Sequence, residues 1–218
     1  MRAEARQVPR IFCIGRNYAE HIRELGERVD PGAGQCIVFM KPYTSLVPEG
    51  QTVIIPSNRG AVHHELELVL EIGTGGSRIP AAHALEHVGA VTLGIDLTLR
   101  ELQGRLKKTG SPWELCKAFD HSAPIGSLVP YRDDIDLGNI DLRLRVNGEL
   151  RQAGNTRDML FPVPRLIEIL SETWRLLPGD LIYTGTPAGV GPLGAGDMMV
   201  AESPQIGRFS WPIAYASP

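Results

Sequence analysis

His63-His64-Glu65-Leu66-Glu67-Leu68-Val69-Leu70-Glu71 is the stretch that decides the fold. Alternate side chains of a β-strand leave opposite faces, so Leu66, Leu68 and Leu70 share one face and Glu65 and Glu67 the other. The leucine face requires a core beneath it. Two carboxylates two residues apart on the other face repel each other unless water or a cation lies between them. A hard divalent cation with oxygen ligands resolves the conflict. A half-buried edge strand with a solvated acidic face is the plainer alternative.

The rest of the composition suits a single domain over residues 1–218. Hydrophobic residues make up 43% and charged residues 22% of 218, enough for a full core. A net charge of -3 with no basic stripe gives no electrostatic case for nucleic acid or an anionic membrane. No apolar run is long enough to span a bilayer, and residues 1–10 carry arginines without the apolar segment of a secretory signal, so a cytoplasmic protein is expected. Three cysteines, Cys13, Cys36 and Cys116, cannot all pair and show no Cys-x-x-Cys spacing, which argues for reduced thiols.

Periodicity and turn residues predict strands over 10–14, 37–40, 52–55, 62–72, 90–96, 140–146, 149–152, 181–184, 198–202 and 209–214. Helices are expected over 18–25, 81–88, 99–108 and 164–176, and a loop over 27–35. Strands outnumber helices and do not alternate with them, which predicts a β-rich α+β domain and not a doubly wound sheet.

Asp96 lies in the apolar run Val91-Thr92-Leu93-Gly94-Ile95-Asp96-Leu97. A buried carboxylate needs a cation or donors, and capping the following helix is the structural alternative. With Glu65 and Glu67 it makes an oxygen set suited to Mg²⁺ or Mn²⁺. Arg100, Gln103 and Lys107 fall on one helix face, ordinarily a solvated one. Lys117, in apolar surroundings, meets a carboxylate or a developing oxyanion, or snorkels to the surface. His21 and Glu24, three apart on a helix, form a usable general base, though such pairs are commonly surface contacts. Residues 184–192, Thr-Gly-Thr-Pro-Ala-Gly-Val-Gly-Pro, offer N–H groups and hydroxyls to an anion, or form a plain tight turn.

Blocks along the whole chain resemble the fumarylacetoacetate hydrolase family, in its short acylpyruvate hydrolase branch. They are Gly15-Arg16-Asn17-Tyr18-Ala19-Glu20-His21, Phe39-Met40-Lys41-Pro42, His63-His64-Glu65-Leu66-Glu67-Leu68, residues 94–100, Lys117-Ala118-Phe119-Asp120, Val146-Asn147-Gly148, and residues 178–191. The resemblance implies a β-roll with mixed β-sandwich character and a few short helices, and a homodimer. It implies Glu65, Glu67 and Asp96 as ligands of Mg²⁺ or Mn²⁺. It further implies His21 and Glu24 as a water-activating pair on a mobile lid over residues 16–35. Arg16, Gln103, Lys117 and Thr186 match positions around a small keto acid, and Arg100 sits among them. Lys117 and Gln103 would stabilise developing oxyanions.

The leading expectation is hydrolysis of an acylpyruvate such as fumarylpyruvate, within aromatic-compound catabolism. The rivals are oxaloacetate decarboxylation, a homoprotocatechuate-type isomerase or decarboxylase, and a non-catalytic β-rich binding domain. Ser203-Pro204-Gln205-Ile206-Gly207 departs from the family pattern and leaves the pairing of the last strand open.

Overall fold

The computed structural model describes residues 10–29 and 35–216. The reading of residues 1–9, and of 30–34 within the predicted loop, lies outside the described residues. An eight-stranded sheet forms the body. Its order is Ile37–Lys41, Ile11–Gly15, Leu181–Tyr183, Leu66–Ile72, Val88–Ile95, Ala123–Ile125 and Leu46–Pro48, with Val129–Pro130 also on Val88–Ile95. A five-stranded sheet, in the order Glu149–Asn155, Asp141–Val146, Met198–Ser203, Gly207–Tyr215 and Val53–Ile55, packs against it. Pairing is mostly antiparallel. Ile11–Gly15 runs parallel to Leu181–Tyr183, Leu46–Pro48 to Ala123–Ile125, and Gly207–Tyr215 to Val53–Ile55. The fold is the β-rich α+β roll that the sequence implied.

The opening stretch runs down the middle of this architecture. Leu66, Leu68 and Leu70 are fully buried in the main core with Leu93, Leu144 and Trp211. Burial of each leucine contributes roughly 1.5–3 kcal/mol. The opposite face is not solvated. Val69 closes it from below in a second apolar cluster with Ile11, Cys13, Leu181 and Tyr183. Glu65 and Glu67 are therefore buried, and the edge-strand alternative is wrong.

The strand expected over 62–72 breaks at Glu65. Val62–His64 belongs to a three-stranded sheet with Thr98–Leu99 and Gly191–Leu193, while Leu66–Ile72 enters the large sheet. At the break Leu66 N–H donates to the side chain of Gln152, 86 positions away, at 2.9 Å, and not to the backbone of a neighbouring strand. The helix expected over 81–88 is a 3₁₀ helix, Ala81–His87. The last strand, left open by the sequence, pairs in register with Met198–Ser203, closing at Ser203 opposite Gly207. Cys13, Cys36 and Cys116 are free thiols. Among the described residues no helix is long and apolar enough to cross a membrane.

Candidate metal and keto-acid site

Glu65, Glu67 and Asp96 converge at the end of the central strand pair. Backbone pairing of Leu66 with Ile95 and of Glu67 with Gly94 places the three side by side, and Asp96 N–H donates to Glu65 O at 2.8 Å. Each offers an oxygen within 4.8 Å of the others, and all three are buried. Asp96 does not cap a helix: the helix Arg100–Thr109 has Leu99 at its N-cap, without a side-chain cap.

Three cations counter two of the three carboxylates, Glu65 and Asp96. Lys117 Nζ bridges Glu65 Oε2 (2.7 Å) and Asp96 Oδ2 (2.5 Å). It is 2% exposed, so it does not snorkel. Burial opposes its charge, but the Asp96 and Glu65 carboxylates outweigh burial and hold its pKa above the ordinary lysine value. Arg100 pairs with Glu65 Oε1. Lys41 Nζ, also buried, lies 2.8 Å from Asp96 Oδ1. Its hydrogen bonds, however, go to the carbonyls of Leu97 (3.2 Å), Ser122 (2.8 Å) and Lys117. An ammonium has three N–H groups, so Asp96 Oδ1 is left with charge nearby and no hydrogen-bond donor.

The carboxylates differ as a result. Burial works against the charge of Glu65, but Lys117 and Arg100 hold its pKa well below the usual range. Glu67 has no ion pair among the described residues. Among the described residues its hydrogen-bond donor is Gly185 N–H at 2.6 Å, presented by a left-handed backbone (φ +100°) that glycine tolerates. Burial and the neighbouring Asp96 charge push its carboxyl well above the usual range. A buried, unpaired carboxylate, an undonated Asp96 oxygen and an all-oxygen donor set fit a divalent cation.

Of the other predicted residues, Arg16, His21, Gln103, Lys117 and Thr186 line a cavity of about 20 Å³ over these carboxylates, together with Lys107, while Glu24 and Arg100 act from behind its wall. His21 comes from the short helix Ala19–Glu24 and is buried; its Nδ1 lies 3.2 Å from Glu24 Oε2. Glu24 Oε1 in turn accepts from Gly189 N–H at 2.9 Å, so residues 184–192 are more than a tight turn. Asn17 ties this region down, its side chain bonding Thr184 O (2.7 Å), Phe161 O (3.0 Å) and Phe161 N–H (2.7 Å). Gln103 Oε1 accepts from Arg100 at 2.7 Å. Its NH₂ is thereby left as a donor for the cavity.

The face bearing Arg100, Gln103 and Lys107 is accordingly not solvated. Lys107 Nζ bonds Glu27 Oε1 (3.0 Å), and Arg16, in a left-handed conformation (φ 60°), reaches Glu27 Oε2 at 2.6 Å. Lys41, Lys107 and Gln152 went without a site role in the sequence reading. Lys41 was visible there as a charge closing an apolar strand. Gln152 gave no signal, since polar residues are ordinary at the end of a hairpin arm.

A β-roll carrying a buried acidic triad beside a lysine and a histidine–glutamate pair defines a class of metal-dependent enzymes. Residues 10–214 match the family profile "Fumarylacetoacetate (FAA) hydrolase C-terminal", and the chain belongs to the fumarylacetoacetate hydrolase family. It is 42% identical to oxaloacetate tautomerase of Escherichia coli over 87% of this chain and 86% of that one. Against the human mitochondrial oxaloacetate tautomerase the identity is 41%, over 88% of this chain and 85% of that one. Among solved structures, fumarylpyruvate hydrolase from Pseudomonas aeruginosa in complex with Mn²⁺ and pyruvate superposes with a TM-score of 0.90. That match has 39% identity and covers 98% of this chain and 94% of that one. Family members so named are enzymes, hydrolases and tautomerases among them.

Proposed function

We propose that the protein interconverts the keto and enol forms of oxaloacetate. The observation that carries this reading is His21, buried over the acidic triad with its Nδ1 engaged by Glu24, in a chain that shares 41–42% identity with oxaloacetate tautomerases. With Nδ1 donating to Glu24, Nε2 is the basic nitrogen. His21 Nε2 takes a proton from the carbon next to the keto group, and negative charge grows on the keto oxygen. Gln103 NH₂ and the Lys117 ammonium stabilise that charge. The proton count balances when the His21 imidazolium gives up that proton and the keto oxygen receives one, directly or through a water, so that the enol leaves and His21 is neutral again. A divalent cation held by Glu65, Glu67 and Asp96 supplies Lewis acidity that makes the carbon acid stronger. Arg16 and Lys107 line the cavity and share the Glu27 carboxylate, so a keto acid with a second, distal carboxylate would exchange for Glu27 between them.

A second reading is the hydrolysis of an acylpyruvate, favoured by the TM-score of 0.90 with fumarylpyruvate hydrolase. There the same His21 Nε2 would deprotonate a water instead of a carbon. A panel of enol-oxaloacetate, fumarylpyruvate and acetylpyruvate, with Mg²⁺ or Mn²⁺ and compared by kcat/KM, separates the two. Tautomerisation of oxaloacetate should dominate. Faster release of pyruvate from fumarylpyruvate would replace it with the hydrolytic reading, and inactivity towards all three would overturn both.

A further inference from the structure

Gln152 is 1% exposed and uses its whole carboxamide. Oε1 accepts from Leu66 N–H and from His64 Nδ1, both at 2.9 Å. Nε2 donates to Pro187 O at 3.0 Å and to Thr186 Oγ1 at 2.8 Å. A backbone N–H can only donate and a backbone carbonyl can only accept, so the orientation of this amide is unambiguous. Thr186 Oγ1 must therefore be an acceptor from Gln152, and its own proton is left to donate elsewhere. The nearest alternative, Pro187 O, is 3.4 Å away and already accepts from Gln152. Thr186 lines the cavity.

The surroundings hold Gln152 in place. A Cβ on Gly154 would lie 2.5 Å from Pro187 Cβ, and a Cβ on Gly189 would collide with Arg151 O. The hairpin arm Glu149–Asn155 and residues 185–191 thus interlock without slack. Gln152 joins the break at Glu65, through Leu66 N–H, to residues 186–187.

We propose that Gln152 is a positioning residue that sets the Thr186 hydroxyl as a hydrogen-bond donor to the carboxylate of a bound keto acid. This rests on the reading that such a carboxylate lies in the cavity beside Thr186. Gln152 touches neither the carboxylate triad's oxygens nor His21; it acts through Thr186.

Pyruvate binding with saturating Mg²⁺, measured by calorimetry, tests it. Gln152→Met and Thr186→Val should each weaken pyruvate on the order of tenfold, as loss of a hydrogen bond to a charged acceptor does. The double variant should be no weaker than Thr186→Val alone, because both changes remove one interaction. Thr186→Ser should bind as the wild type does, and Mg²⁺ affinity should be unchanged throughout. In the wild-type protein labelled with ¹⁵N-glutamine, pyruvate should shift the Gln152 carboxamide resonances. This measurement decides the matter if Gln152→Met fails to fold. Additive losses, wild-type affinity in Gln152→Met, or an unshifted carboxamide would overturn the role of Gln152. A wild-type protein that does not bind pyruvate would overturn the site reading beneath it.

Discussion

Lys41→Met removes a buried cation that holds four oxygens at once. Lys41 Nζ bonds the carbonyls of Leu97, Lys117 and Ser122 and faces Asp96 Oδ1 at 2.8 Å. Methionine matches its length and leaves no large void, so the cost is electrostatic. Breaking a buried pair by deleting one partner costs about 3–5 kcal/mol. For a chain of this size each kcal/mol lowers Tm by about 2–4 °C, which predicts a loss of roughly 6–20 °C. The acidic cluster also loses one of its three opposing cations. Mg²⁺ should consequently bind the variant more tightly and raise its Tm by more than it raises that of the wild type. Scanning calorimetry with and without Mg²⁺ measures both effects. A loss below about 2 °C, or a Mg²⁺ shift no larger than the wild type's, would refute the assignment of Lys41 as the countercharge of Asp96.

Mg²⁺ or Mn²⁺ at a hundredfold over Kd should stabilise the wild type by about 2.7 kcal/mol, and Glu67→Gln should abolish the shift in a thermal melt. The sign of its pH dependence follows from Glu67, whose raised pKa lets protons compete with the metal above the ordinary carboxylate range. Metal affinity, measured by titration calorimetry, should therefore fall as pH drops through the raised value. His21→Ala should lower kcat on oxaloacetate by about 10²–10⁴-fold while metal affinity stays at the wild-type value; retained kcat would remove His21 as the base. Burial pushes the Cys36 thiol up to about 11 from 9.0, so its thiolate fraction at pH 8 is about a hundredfold below that of an ordinary thiol. Alkylation followed by mass spectrometry should show correspondingly slow labelling that accelerates towards pH 11.

Glu65, Glu67 and Asp96 were legible as candidate ligands because alternation and an apolar context are local properties, readable within seven residues of each. His21 and Glu24 were legible as a pair because helical spacing brings i and i+3 together. Their position over the acidic triad was not, since it depends on Asn17 tying the start of the helix to Thr184 and Phe161, more than 140 positions away. The break at Glu65 escaped the sequence for the same reason. A continuous strand is what 62–72 prefers locally, and a glutamine from the other sheet captures Leu66 N–H.

By itself the sequence determined that a leucine-faced strand would need a core beneath it, that the domain would be rich in β-structure, and that Asp96 would sit where apolar neighbours make a carboxylate expensive, while burial of Glu65 and Glu67 stayed open. Those follow from periodicity and from the cost of desolvating charge, which act along the chain. Only the tertiary structure decided which cations answer which carboxylates, that Glu67 has no ion pair among the described residues, and that Gln152 fixes Thr186. Hydrogen-bond direction and charge pairing depend on distances of about 3 Å, and those distances are set by contacts between strands far apart in the chain.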